Sequence, residues 1–95
     1  VEALTYKADV LLDIDEVDLA LEFANTAISK DDNYALAYWQ RACAKAQLSD
    51  TTGAIVDLTT AIDISEPLRK KIMDEPYFNT LQDLEAFQYI ISTKE

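Results

Sequence analysis

Histidine is missing from this 95-residue chain, glycine occurs once (Gly53), cysteine once (Cys43) and proline twice (Pro67 and Pro76). Without histidine there is no Ser–His or Cys–His couple and no imidazole ligand for a metal. A single glycine rules out a glycine-rich phosphate loop, whose close backbone approach needs several. A single cysteine rules out an internal disulfide and leans towards a reducing, cytoplasmic setting. Few turn formers beside abundant Ala, Leu and Ile exclude an all-β chain and predict an all-α fold. No apolar run approaches the roughly 20 residues of a membrane span. The first residues carry neither a basic start nor an apolar core, so no targeting segment is read there. A chain that opens on Val1, almost inside a helix, reads as a fragment or a processed product.

Positive charge is scarce as well. Eight Lys and Arg face 18 Asp and Glu, a net charge of −10. The imbalance is uneven: residues 1–34 hold nine acids against two lysines. Phosphate binding needs a basic stripe, so nucleic acid and anionic membrane are poor partners. An acidic surface serves solubility or attracts a basic partner.

What is present is helical periodicity. Tyr38, Ala42, Lys45 and Leu48 share one helical face, the run Ser49-Asp50-Thr51-Thr52-Gly53 interrupts it, and Ala54, Ile55, Leu58, Ala61 and Ile62 form a second. Alanines sit where two helices would approach closely. Slid along itself, the chain superposes Ala3 on Ala37, Ala8 on Ala42, Ala20 on Ala54, Thr26 on Thr60, Ala27 on Ala61 and Ile28 on Ile62, all at one offset. Helices are expected at 2–13, about 16–29, about 34–48, about 52–64, a short one over Leu68–Met73 and a last one over about 81–93. Asp15 is the expected N-cap of the second, Asp31-Asp32-Asn33 of the third, and Asp50 or Ser49 of the fourth. Thr80-Leu81-Gln82-Asp83 reads as a capping box for the last.

A 34-residue period with two helices per unit resembles the tetratricopeptide repeat, whose small-residue positions match Ala8, Ala20 and Ala27, then Ala42, Ala54 and Ala61. Tyr38 stands where that family prefers an aromatic, with Leu4 a weaker occupant. Lys45 and Leu11 depart from the pattern, and Glu66-Pro67 places the repeat-ending proline one residue late. The resemblance implies repeats at 1–34 and 35–68 and a C-terminal capping segment at 69–95. That tail, with Asp74, Pro76, Phe78, Leu81, Phe87 and Ile90, is similar to the segment closing bacterial arrays of this kind. Phe78, Leu81, Leu84, Phe87, Ile90 and Ile91 are expected to turn inward, covering the face a last repeat leaves bare. The other reading is a separate hydrophobic recognition helix. Ala3, Val10 and Ile14 should face outward at the opposite end, where Leu19 and Phe23 form either a satellite contact or an exposed patch.

Little here suits catalysis. Cys43 on an alanine-rich helix is a small apolar filler before it is a nucleophile. Asp13, Asp15, Glu16 and Asp18 lack the spacing of a calcium loop. Arg69-Lys70-Lys71 reads as a solvated helix face. The resemblance implies instead a concave groove lined by the first helix of each repeat, binding a protein or peptide. On this chain the groove falls to Thr5, Asp9, Leu12, Leu36, Trp39, Gln40 and Cys43. The family's carboxylate clamp is absent, since Thr5, Asp9, Trp39 and Cys43 occupy the places of its Lys and Asn. Trp39 is either an exposed anchor or packed against the C-terminal segment. The reading is a non-catalytic interaction module without cofactor or metal. Alternatives are weak self-association through the N-terminal face and an appended scaffold domain of a larger enzyme.

Overall fold

The same turn is built twice in this chain. The helix α1 (Glu2–Asp13) ends where the Asp15 N–H reaches Leu12 O at 3.1 Å and the Glu16 N–H reaches Leu11 O at 2.8 Å. The helix α3 (Ala35–Gln47) ends with the Ser49 N–H on Ala46 O at 3.1 Å and the Asp50 N–H on Lys45 O at 2.8 Å. This crossed pair of bonds satisfies carbonyls left over at a helix end and drives one residue into the left-handed region. The residues so driven are Asp15, at φ 64°, and Ser49, at φ 66°. The helices that follow, α2 (Val17–Lys30) and α4 (Thr51–Ile64), keep the same offset at both their first and their last residues. Both leave through an extended residue: Asp31 at φ −150°, ψ 95° and Ser65 at φ −138°, ψ 93°. The offset seen in the alanines is therefore also the offset of the backbone.

The computed structural model, which describes residues 2–92, holds seven helical segments and no strand among those residues. After α4 come two 3₁₀ segments, Glu66–Asp74 and Pro76–Leu81, and then α5 (Glu85–Ser92). The expected end of the last helix at 93 lies outside the described residues. Helices α1 and α2 pack on each other, α3 and α4 likewise, and α2 rests on α3 to join the two hairpins. Ala8, Ala20, Ala27, Ala42, Ala54 and Ala61 are all fully or almost fully buried. A side chain of one carbon lets the helix axes come close, which is why alanine occupies these positions in both units.

Several local expectations are corrected. Asp15 does not cap α2, because its left-handed backbone is unsuited to a position that wants extended geometry. The N-cap is Glu16, which makes no side-chain cap bond. Asp31 accepts from the Asn33 N–H at 3.0 Å, so it closes the turn, and the N-cap of α3 is Tyr34. Asp50 does cap α4, accepting from the Gly53 N–H at 3.0 Å. A Cβ at Gly53 would lie 2.4 Å from the Asp50 carboxylate, so this cap and this glycine go together. Thr80 lies inside the second 3₁₀ segment, not at a capping box, and α5 starts only at Glu85. The two prolines explain the change of pitch: each starts a 3₁₀ segment at its first turn, and restarting the chain at both Pro67 and Pro76 leaves no room for a long α-helix.

The tail closes the core all the same. Ile72, Phe78, Leu81 and Phe87 are as buried as the central alanines. Leu84 is not: it stands at 38% exposure in the turn before α5, against the expectation that it points inward. Arg69 is also not a solvated residue. Its guanidinium binds the Glu66 carboxylate at 2.6 and 3.0 Å and donates to the Ile90 carbonyl, tying the first 3₁₀ segment to α5.

A left-handed non-glycine residue costs roughly 1–2 kcal/mol, most of which glycine avoids. Ser49→Gly should therefore raise stability in urea unfolding by up to about 1 kcal/mol, since Ser49 donates only its backbone N–H to the turn. A loss of stability would mean that the serine side chain has a part in the turn.

Candidate functional site

Seven residues are expected to line a groove on the α1 and α3 side, and most of that lining is already covered by the chain itself. The segment Glu75–Leu81 crosses this side of the molecule. The Tyr77 hydroxyl donates to the Leu12 carbonyl at 3.0 Å, and Phe78 meets the Trp39 ring edge-on at 5.2 Å and 82°. As a result Leu12, Trp39, Gln40 and Cys43 are buried, with Trp39 retaining 8% exposure. Thr5 is buried too, its hydroxyl donating to the Glu2 carbonyl at 2.9 Å. Of the seven, Asp9 and Leu36 are exposed. Trp39 thus follows the packed alternative: its edge-to-face contact with Phe78 makes it a seat for the tail.

Burial also decides the chemistry of Cys43. Desolvation holds its thiol far above the ordinary range, and the Glu75 and Asp9 carboxylates push it further the same way. A thiol so held supplies no thiolate near neutral pH. Gln40 is buried with its side-chain carbonyl oxygen unpartnered. Among the described residues no group of three or more Asp, Glu or Cys is placed to hold a metal ion, and no helix is long and apolar enough to cross a membrane.

What remains open beside the covered surface is a groove of about 300 Å³ between α3 and the first 3₁₀ segment, lined by Leu36, Trp39, Leu68, Lys71, Asp74 and Glu75. Leu36 stands at 42% exposure at its edge. The α1 carboxylates Asp9 and Asp13 act on Glu75 from one side. Burial first, then these two charges, raise the Glu75 carboxyl above its ordinary value, opposed by the bond it accepts from the Tyr77 backbone N–H. A second groove, of about 410 Å³, lies between α4 and α5 and is lined mainly by Ile55, Ile62, Ala86, Tyr89 and Ile90, with Asp63 and Arg69 as its charged lining residues.

A cluster invisible in the linear reading lies on the other side of α3. Asp57 of α4, with its side chain 2% exposed, receives Arg41 through two bonds of 2.9 Å and Lys45 at 3.1 Å. Arg41 donates a further 2.9 Å bond to Asn25 Oδ1, so one guanidinium joins α2, α3 and α4. Its charge is held above the ordinary value by the Asp57 hydrogen bond first, then by Coulomb attraction, against the cost of burial. The position has a counterpart one repeat earlier: Lys7 for Arg41, Phe23 for Asp57. There the ammonium lies 5.9 Å from the Phe23 ring centre, so a cation–π contact replaces the ion pair. The signal was present in the sequence: Arg41 and Lys45 share a face at i,i+4, opposite a single acid in the apolar face of 51–64.

No protein family, no curated protein and no solved structure matches the chain.

Two measurements test these electrostatics. Replacing Arg41 and Lys45 together by Met strands a buried carboxylate and should cost about 3–5 kcal/mol in urea unfolding. Adding Asp57→Leu to that variant should recover most of the loss, because an apolar trio of similar volume needs no desolvation. An unaltered stability of the double variant would mean that Asp57 is reached by water. Glu75 has its own pH signature. Its folded-state pKa is raised, so the stability it contributes is complete below the ordinary carboxyl range and is lost as pH rises through the raised value. Glu75→Gln should therefore show a slightly higher melting temperature than the parent at pH 7 and none of that advantage near pH 4; the reverse order would contradict the assignment.

Proposed function

We propose that this chain is a tetratricopeptide-type module, two repeated hairpins and a closing segment, whose work is the non-catalytic recognition of a protein or peptide partner. The observation that carries the reading is the recurrence of the backbone itself. The limits of α2 and α4, the left-handed residues, the loop-closing bonds and the buried alanines all recur at one common spacing. Stacked hairpins of this type present faces rather than pockets with reactive groups, and their usual use is to hold a partner segment. The residues free to meet one are Leu36 and Asp9 together with the lining of the 300 Å³ groove. Thr5, Leu12, Gln40 and Cys43 are buried and offer a partner no surface. A reducing, cytoplasmic setting accords with one buried thiol.

A second reading, self-association, has its own observation. Val10 on α1 is 42% and Ile14, in the turn after it, 61% exposed, and Ala3 of α1 is exposed as well. The counterparts of Ala3 and Val10 in the second hairpin, Ala37 and Ala44, are fully buried where the first hairpin covers α3, while Leu48, the counterpart of Ile14, is exposed. The same face of α1 lacks such a cover among the described residues.

One comparison separates the readings. The immobilised chain, a Leu36→Ser variant and a Val10→Asp variant are used for affinity capture with mass spectrometry, and each is sized by light scattering. A groove-binding module keeps its captured partner in Val10→Asp and loses it in Leu36→Ser. Self-association predicts a doubled mass that returns to the monomer value in Val10→Asp. A monomer whose captured proteins are indifferent to both substitutions would overturn both.

A further inference from the structure

We propose that the groove between α3 and the 3₁₀ segment Glu66–Asp74 receives a short partner segment that carries arginine or lysine next to an apolar side chain. The inference rests on the interaction reading above and names the chemistry of the partner. The apolar half of the requirement comes from the floor. Leu36 is half-exposed, the Trp39 ring is fixed edge-on against Phe78, and Leu68 of the first 3₁₀ segment is partly buried across from them. At about 300 Å³ the space is at the low end for a bound small molecule and suits a few side chains of a peptide.

The basic half comes from the wall. Asp74 and Glu75 line the groove, with Lys71 as the one cation among its lining residues. Asp9 and Asp13 of α1 stand behind Glu75 and repel its charge. None of these four carboxylates makes an ion pair among the described residues, whereas the acid that is buried, Asp57, has two cations. An arriving guanidinium or ammonium relieves a repulsion that already exists; an acidic or phosphorylated segment adds to it. The larger groove between α4 and α5 has one acid, Asp63, and one cation, Arg69, among its lining residues, and so lacks an excess of carboxylates. Complementarity of sign, on an apolar floor that fixes position, selects the occupant.

The only tryptophan in the chain, Trp39, lies in the groove floor and reports occupancy by its emission. The probes are two acetylated, amidated decapeptides, one alternating leucine with arginine and the other leucine with glutamate. The arginine peptide should shift Trp39 emission saturably, and raising salt from about 50 to about 300 mM should weaken it roughly tenfold. The glutamate peptide should produce no shift. The double variant Asp74→Asn/Glu75→Gln should weaken the arginine peptide about tenfold. Asp18→Asn/Glu22→Gln, which removes the same charge from exposed positions on α2 outside the groove lining, should leave it unchanged. Circular dichroism establishes that each variant is folded. The proposal is overturned by the absence of a saturable shift, by equal responses to both peptides, or by equal weakening in the two double variants. It is also overturned, while the groove-binding reading stands, if captured partners lost in Leu36→Ser are fully kept in Asp74→Asn/Glu75→Gln.

Discussion

Everything in this molecule depends on how closely four helices can approach. With 95 residues the chain has little apolar surface to bury, and contact area must come from proximity more than from large side chains. The alanines at 8, 20, 27, 42, 54 and 61 provide it. None carries more than one side-chain carbon, and none retains meaningful exposure. Close backbones in turn require short connections, and the turns at Asp15 and Ser49 accept left-handed strain at non-glycine residues to make them. The large residues, Trp39, Phe78 and Phe87, lie towards the tail, where a wider gap has to be filled.

Charge is distributed by the same constraint. A carboxylate can enter the hairpin interior only with full compensation, and Asp57 has it from Arg41 and Lys45. In the first hairpin the corresponding place holds Phe23, and the corresponding cation, Lys7, lies over its ring. Two chemically different pairs therefore solve one geometric problem: a cation on the first helix of a hairpin must find something on the second. Asp9 and Asp13 of α1, with Asp74 and Glu75, stay outside any ion pair among the described residues and lie in or act on the groove lining.

The tail has two tasks that are hard to separate. It covers the end of α4, and on its way it lays Tyr77 and Phe78 across α1 and α3. This second task takes most of the expected groove lining out of reach. The open surface is displaced towards Leu36, Leu68 and Glu75, at the seam between the repeated part and the unrepeated part.

The sequence by itself determined the helices of the repeated part, the constant offset between them and the alanines at their crossings. These are properties of local periodicity and side-chain size, which act over short stretches and are written in order along the chain. It also marked Phe78, Leu81 and Phe87 as core, because apolar residues of that size have nowhere else to go. Only the tertiary structure decided the rest. That Asp15 is a strained turn residue and not a cap follows from how α1 ends, not from the preferences of aspartate. That Asp57 is buried with two cations needed the distance between α3 and α4. That Trp39 holds the tail, while Leu36 and Asp9 stay exposed, depended on where residues 75–81 land. Prolines 67 and 76 announce that the chain must turn, but the contacts waiting on α1 and α3 choose the direction. Such contacts join residues as far apart in the chain as Leu12 and Tyr77, a separation at which neither propensity nor periodicity carries information.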